Sequence, residues 1–109
     1  MAGSHIAIPT ILKIGSGTLG NVGKYLQSSG FKKAVVFFGN GLVEMFGKTV
    51  MDSLSEADIE VLSYCELDTT DIKDIINLAF TIDAKTQVIL GIGGGKVIDA
   101  GKYAAYLRK

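Results

Sequence analysis

The residues whose types and spacing could do chemistry lie in one run, Ile89-Leu90-Gly91-Ile92-Gly93-Gly94-Gly95-Lys96-Val97-Ile98-Asp99-Ala100-Gly101-Lys102. An apolar stretch enters consecutive glycines, and a pattern with helical spacing leaves them. Glycine has no Cβ, so a ligand can approach its backbone closely. A glycine turn that opens a helix aims unpaired N–H groups and the positive end of the helix dipole at one point, which suits a phosphate. Lys96 adds a positive charge directly after the glycines. Lys96, Asp99 and Lys102 recur at helical i,i+3 spacing and so lie near one face. They read either as a phosphate-binding lysine with an aspartate turned to the ligand's polar groups, or as an ion-pair ladder. By spacing alone the glycines fit both a phosphate cradle and a plain turn that packs strand against helix. The run is not a P-loop: Val97 follows Lys96 where that motif requires Ser or Thr, and its spacer before Gly-Lys is missing.

A second glycine motif competes with the first. Gly15-Ser16-Gly17-Thr18-Leu19-Gly20 is a literal GxGxxG between a strand-like and a helix-like stretch. The dinucleotide fingerprint also needs an acidic residue about 20 residues further on to hold a ribose. That place is Phe38-Gly39-Asn40, which has no carboxylate. The motif reads foremost as a turn with Thr18 as N-cap, with contact to a phosphate as the alternative.

The elements that must position these residues alternate along the chain. Ile6 to Ile14 predicts a strand, confined by Pro9 to an edge or irregular position. Leu19, Val22 and Leu26 predict a helix ended by Ser28-Ser29-Gly30. Lys33 to Phe38 is a continuous apolar run, as expected of a strand covered on both faces. Gly39-Asn40-Gly41 is a turn in which Asn40 can cap the next helix. Leu42, Val43, Phe46, Val50 and Leu54 line one face of that helix. Asp58 to Leu62 alternates and predicts a third strand continuing through Tyr64. Glu66 to Thr70 reads as a polar loop with Thr69 or Thr70 as cap. Asp71 and Asp74 follow in the first turn, and Ile72, Ile75, Ile76 and Ala79 form a buried stripe. Thr86 to Leu90 predicts the fourth strand. Val97, Ile98, Gly101, Ala104 and Ala105 form the inner face of a last helix that still reads helical at Lys109.

Alternating strands and helices imply an α/β fold: an open, mainly parallel, Rossmann-like sheet with helices on both faces. Such sheets bind ligands beyond the C-terminal ends of their strands. Gly39-Asn40, Glu66-Leu67-Asp68 and Gly91 to Gly95 all fall on that edge. Glu44, Glu56, Glu60 and Glu66 read as solvated carboxylates. Tyr64, Tyr103 and Tyr106 read as packing residues with wet hydroxyls.

Composition narrows the class. The 109 residues are 48% hydrophobic, which suits a globular domain and argues against disorder. Basic and acidic residues balance at 11 each, so no net field draws in nucleic acid or an anionic membrane. No apolar run has the length of a membrane span, and no signal peptide is visible. A single cysteine, Cys65, allows no internal disulfide; it reads as a small buried or half-buried hydrophobe and the chain as cytoplasmic. Met1-Ala2-Gly3-Ser4-His5 reads as a vector-derived scar, and it holds the only histidine.

Gly91-Ile92-Gly93-Gly94-Gly95-Lys96-Val97-Ile98-Asp99-Ala100-Gly101-Lys102 resembles the GGG(S/K)xxDxxK signature of the iron-containing alcohol dehydrogenase and dehydroquinate-synthase-like superfamily. With Tyr103 to Lys109 it is most similar to glycerol dehydrogenases and sn-glycerol-1-phosphate dehydrogenases. Ile14 to Leu19 is similar to that family's N-terminal pattern. The resemblance implies that residues 6–109 are an N-terminal nucleotide-binding domain, with the pyrophosphate of NAD or NADP on Gly93, Gly94, Gly95 and Lys96. It also implies that Asp99 lies toward the nicotinamide and substrate cleft. Relatives often carry Asp at the place of Gly39, which excludes the 2′-phosphate of NADP; Gly39 lacks that charge, so NADP is expected to be tolerated. In the family a C-terminal helical domain supplies the ligands of a divalent metal, a Lewis acid toward the substrate alcohol. No counterpart of that domain is expected in residues 6–109. The chain is therefore expected to be a fragment, inactive alone, of an oxidoreductase that acts on a small carbonyl such as dihydroxyacetone or its phosphate. Other readings are a stand-alone flavodoxin-like module, natural or engineered, with a binding or structural role, and a regulatory nucleotide-binding domain. An uncovered sheet edge or apolar face invites pairing with another chain, so a homo-oligomer is expected.

Overall fold

The computed structural model describes residues 19–67 and 81–93, with isolated positions 73, 76, 77 and 99. The elements in these residues are α1 (Val22–Ser28), β1 (Lys33–Gly39), α2 (Leu42–Glu56), β2 (Glu60–Leu67) and β3 (Val88–Ile92). The expected strand at 6–14, the first glycine motif up to Thr18 and the loop at 68–70 lie outside the described residues. So do most of the helical stripe at 72–79 and the helix after the second glycine run. Positions 73, 76, 77, 81 and 99 are helical.

Hydrophobic spacing places the helices as expected. Leu19, Val22 and Leu26 are fully buried or nearly so. In α2, Val50 and Leu54 are buried, and Leu42, Val43 and Phe46 pack against the same core. Both helices end in the same way. Phe31 N–H donates to Leu26 O at 3.1 Å and Gly30 N–H to Gln27 O at 3.0 Å; Ile59 N–H donates to Leu54 O at 2.9 Å and Asp58 N–H to Ser55 O at 3.1 Å. These are Schellman caps, which need a left-handed residue after the helix. Gly30 supplies it in α1 at φ 85°, and Asp58 in α2 at φ 59°. Asp58 is thus a helix terminator, and β2 starts two residues later, at Glu60, than alternation suggests.

The three strands are parallel, in the order β2-β1-β3. β1 is the central strand of the three. Ala34, Val36 and Phe38 alternate onto one face with Val88, Leu90 and Ile92, and join the core beneath α1 and α2. Val35, Phe37 and Ile89 point the other way and are also buried. Both faces are covered, which accounts for the unbroken apolar run in β1. Gln87 ties the start of β1 to the segment before β3: its Oε1 accepts from Lys32 N–H at 2.7 Å and Lys33 N–H at 3.1 Å.

The β1–β2 ladder carries a shift of one residue. Ala34 pairs with Val61, but Val35 pairs with Ser63, so Leu62 is extra. A strand's side chains alternate with period two, so one extra residue exchanges the faces of everything after it. Tyr64 and Glu66 therefore pair with Val36 and Phe38 and share the face that α2 covers. Tyr64 stands edge-on to Phe38, with ring centroids 6.2 Å apart.

Candidate functional site

The site follows from the strand order. The chain leaves β1 for β2 on one side, then crosses back to place β3 on the other side of β1. In open parallel sheets such a reversal of strand order marks a ligand crevice at the C-terminal ends of the two strands involved, here β1 and β3. Ligands of open α/β sheets bind in that crevice.

Two of the expected site residues meet there. The β1–β3 ladder runs to Phe38 and Ile92, so Gly39 and Gly93 are the next residues of each strand. A Cβ built on Gly39 would lie 3.8 Å from Gly93 Cα, 3.7 Å from the Ile92 carbonyl oxygen and 3.3 Å from Leu42 Cδ1. Gly93 is buried, with φ 152°, a backbone region open to glycine and costly for other residues. β3 continues through Gly91 and Ile92, two residues further than alternation suggests, and so delivers Gly93 to the C-terminal edge of the sheet. Asp99 is helical and exposed. Gly94, Gly95 and Lys96 lie outside the described residues.

The turn after β1 differs from expectation. Asn40 does not cap α2. Gly41 takes the N-cap position with φ 81°, and α2 begins at Leu42. The left-handed conformation at Gly41 moves the helix start past Asn40, whose side chain makes no cap hydrogen bond. Instead Gly41 N–H donates to Glu66 Oε2. Glu66 is exposed, as a solvated carboxylate should be, but it lies inside β2 rather than in a loop. Its partner is 25 residues away. No sequence periodicity links the two, and the extra residue at Leu62 puts Glu66 on the opposite face from the one simple alternation assigns.

Cys65 pairs with Phe37 and is half-buried; burial pushes its thiol up to about 11. It is a packing residue whose thiol burial makes less acidic and so less reactive.

The described part of the crevice fits a nucleotide phosphate. Gly39 and Gly93 leave backbone with no side chain at the mouth, which lets a phosphate approach closely, while the N–H of Gly41, the N-cap residue of α2 beside it, is already taken by Glu66. Among the described residues no group of three or more His, Cys, Asp and Glu is placed to hold a metal ion. Among them, too, no helix is long and apolar enough to cross a membrane.

A sequence model of a family described as iron-containing alcohol dehydrogenase matches residues 13–109. An NAD(P)+ glycerol-1-phosphate dehydrogenase of Pyrobaculum islandicum is 28% identical over 102 residues, covering 94% of this chain and 26% of the relative. One from Sulfolobus acidocaldarius is 29% identical over 103 residues, with 93% and 29% covered. Glycerol dehydrogenase 1 of Schizosaccharomyces pombe is 29% identical over 82 residues, with 75% and 18% covered. The chain thus spans under a third of the length of these relatives. A crystal structure of the NADH-dependent butanol dehydrogenase A of Thermotoga maritima superposes with a TM-score of 0.64 at 23% identity, over 94% of this chain and 25% of that one; it shares the fold.

Proposed function

The chain belongs to the iron-containing alcohol dehydrogenase family, and on that premise we propose that it forms the nucleotide-binding part of an NAD(P)-dependent oxidoreductase acting on glycerol or a glycerol phosphate. The meeting of Gly39 and Gly93 at the switch point of the sheet carries this reading. In it, the backbone of Gly93, Gly94 and Gly95 receives the pyrophosphate and Lys96 neutralises it. β1 lies next to β3, so the adenosine ribose extends over the turn at Gly39. Asp99, three residues past Lys96 in sequence, lies toward the nicotinamide end. When bound, the nicotinamide would take the hydride from the alcohol, or return it to the carbonyl in the reverse direction. The residues of this chain bind and orient it and exclude water from the pyrophosphate. Hydride exchange with a small carbonyl belongs to the whole enzyme; the chain by itself binds nucleotide without turnover. The names of the glycerol-1-phosphate and glycerol dehydrogenase relatives support the substrate class.

Fluorescence titration of NADH and NADPH into the chain tests this reading. Saturable binding of either is expected, and Lys96→Ala weakens it. No binding of either nucleotide at millimolar concentration overturns the reading; binding unaffected by Lys96→Ala overturns the role of that residue.

A further inference from the structure

We propose that Glu66 is the residue through which this site selects against a 2′-phosphorylated adenine nucleotide, an inference that rests on the nucleotide-binding reading above. Gly39 ends β1 and the turn Gly39-Asn40-Gly41 contains no carboxylate of its own. A carboxylate nevertheless stands in that turn. Glu66 pairs with Phe38 across the β1–β2 ladder, and its Oε2 accepts the Gly41 N–H. It reaches α2 because the extra residue at Leu62 turns it to the α2 face.

Two consequences follow for a nucleotide that runs from Gly93 to the turn at Gly39. The start of α2 is where a free N–H and the helix dipole attract an anion. Glu66 already satisfies that N–H and brings a negative charge, so the local sign is reversed. A ribose 2′-hydroxyl can donate a hydrogen bond to such a carboxylate. A 2′-phosphate meets a like charge, and to reach Gly41 N–H it must displace Glu66. The carboxylate that discriminates thus comes from the end of β2, while the end of β1, which would usually supply it, is glycine.

The test compares NADH and NADPH binding by the chain and by Glu66→Gln. Gln keeps an oxygen to accept Gly41 N–H, so the turn survives while the charge is lost. Affinity for NADPH relative to NADH is expected to rise about tenfold, the scale of one like-charge contact near a protein surface. A Glu66 that only shapes the turn moves both affinities together; an unchanged ratio overturns the inference and leaves the nucleotide-binding reading standing. Absence of binding of both nucleotides to the wild-type chain overturns that reading and this inference with it. Should Glu66→Gln fail to fold, salt decides on the wild-type chain. Screening weakens repulsion between exposed charges, so the NADPH to NADH affinity ratio rises with KCl; a ratio that falls or stays level overturns the inference.

Discussion

Gly23 and Ser53 join α1 to α2 without a gap. Gly23 N–H donates to Ser53 Oγ at 2.9 Å, and the same hydroxyl donates to the Gly20 carbonyl at 3.0 Å. A Cβ on Gly23 would stand 2.0 Å from the Ser53 carbonyl oxygen. The first turn of a helix has N–H groups with no partner inside the helix. Here one of them is satisfied by a side chain of the neighbouring helix, in a buried contact. The pair sets how closely α1 and α2 pack against each other.

Gly23→Ala therefore drives a methyl group into backbone that cannot yield. The expected loss is about 3 kcal/mol or more, at the upper end of overpacking. Ser53→Ala removes the shared hydroxyl and strands a buried N–H, at a cost of about 1–3 kcal/mol. Urea denaturation midpoints of the two variants measure both; a Gly23→Ala variant as stable as the parent contradicts the packing described.

Asp58 holds φ 59° at the end of α2, in the cap position that Gly30 fills for α1. A non-glycine residue pays a steric penalty there, reduced for Asp. Asp58→Gly is expected to stabilise the chain by up to about 1 kcal/mol, offset in part by the greater freedom of glycine in the unfolded chain. Thermal unfolding with a higher Tm is the expected outcome, and a lower one refutes the assignment.

Cys65 should be slow to react at neutral pH. Its thiol is pushed from 9.0 up to about 11 by burial, so the thiolate is scarce until the pH approaches 11. The sign for stability follows. The folded chain holds the proton more tightly than the unfolded one, so stability is full below about 9 and declines as the pH rises through about 11. Alkylation with iodoacetamide across pH 7 to 11, in native buffer and in urea, checks the difference: fast native labelling at neutral pH would contradict it.

Gly39→Asp adds a carboxylate at the end of β1. The nearest neighbour of the new Cβ is the end of the Leu42 side chain at 3.3 Å, which can move, so the fold should persist. NADPH affinity is expected to fall about tenfold with NADH affinity nearly unchanged. Titration of both nucleotides with the variant reads the ratio; an equal loss of both would mean a damaged turn rather than charge discrimination.

Much of this protein is local. The spacing of Leu19, Val22 and Leu26, and of Val50 and Leu54, follows the helical repeat, and Lys33 to Phe38 could only be a strand covered twice. Gly93, directly after Ile92, holds φ 152°, a conformation that favours glycine. Each of these patterns spans a few residues, and the physics behind it acts over the same few residues. Cap positions were less legible, because Asn40 and Gly41 both suit a helix start and one dihedral at Gly41 decides between them.

Sequence alone determined the α/β class, the apolar stripes and the glycine run, since periodicity and side-chain chemistry act between near neighbours. Only the tertiary structure decided which strands lie side by side. The return of β3 to the far side of β1 sets Gly39 against Gly93, and the extra residue at Leu62 turns Glu66 toward Gly41. Both depend on pairing between distant segments, where a shift of one residue reverses a whole face, and no local pattern carries that information.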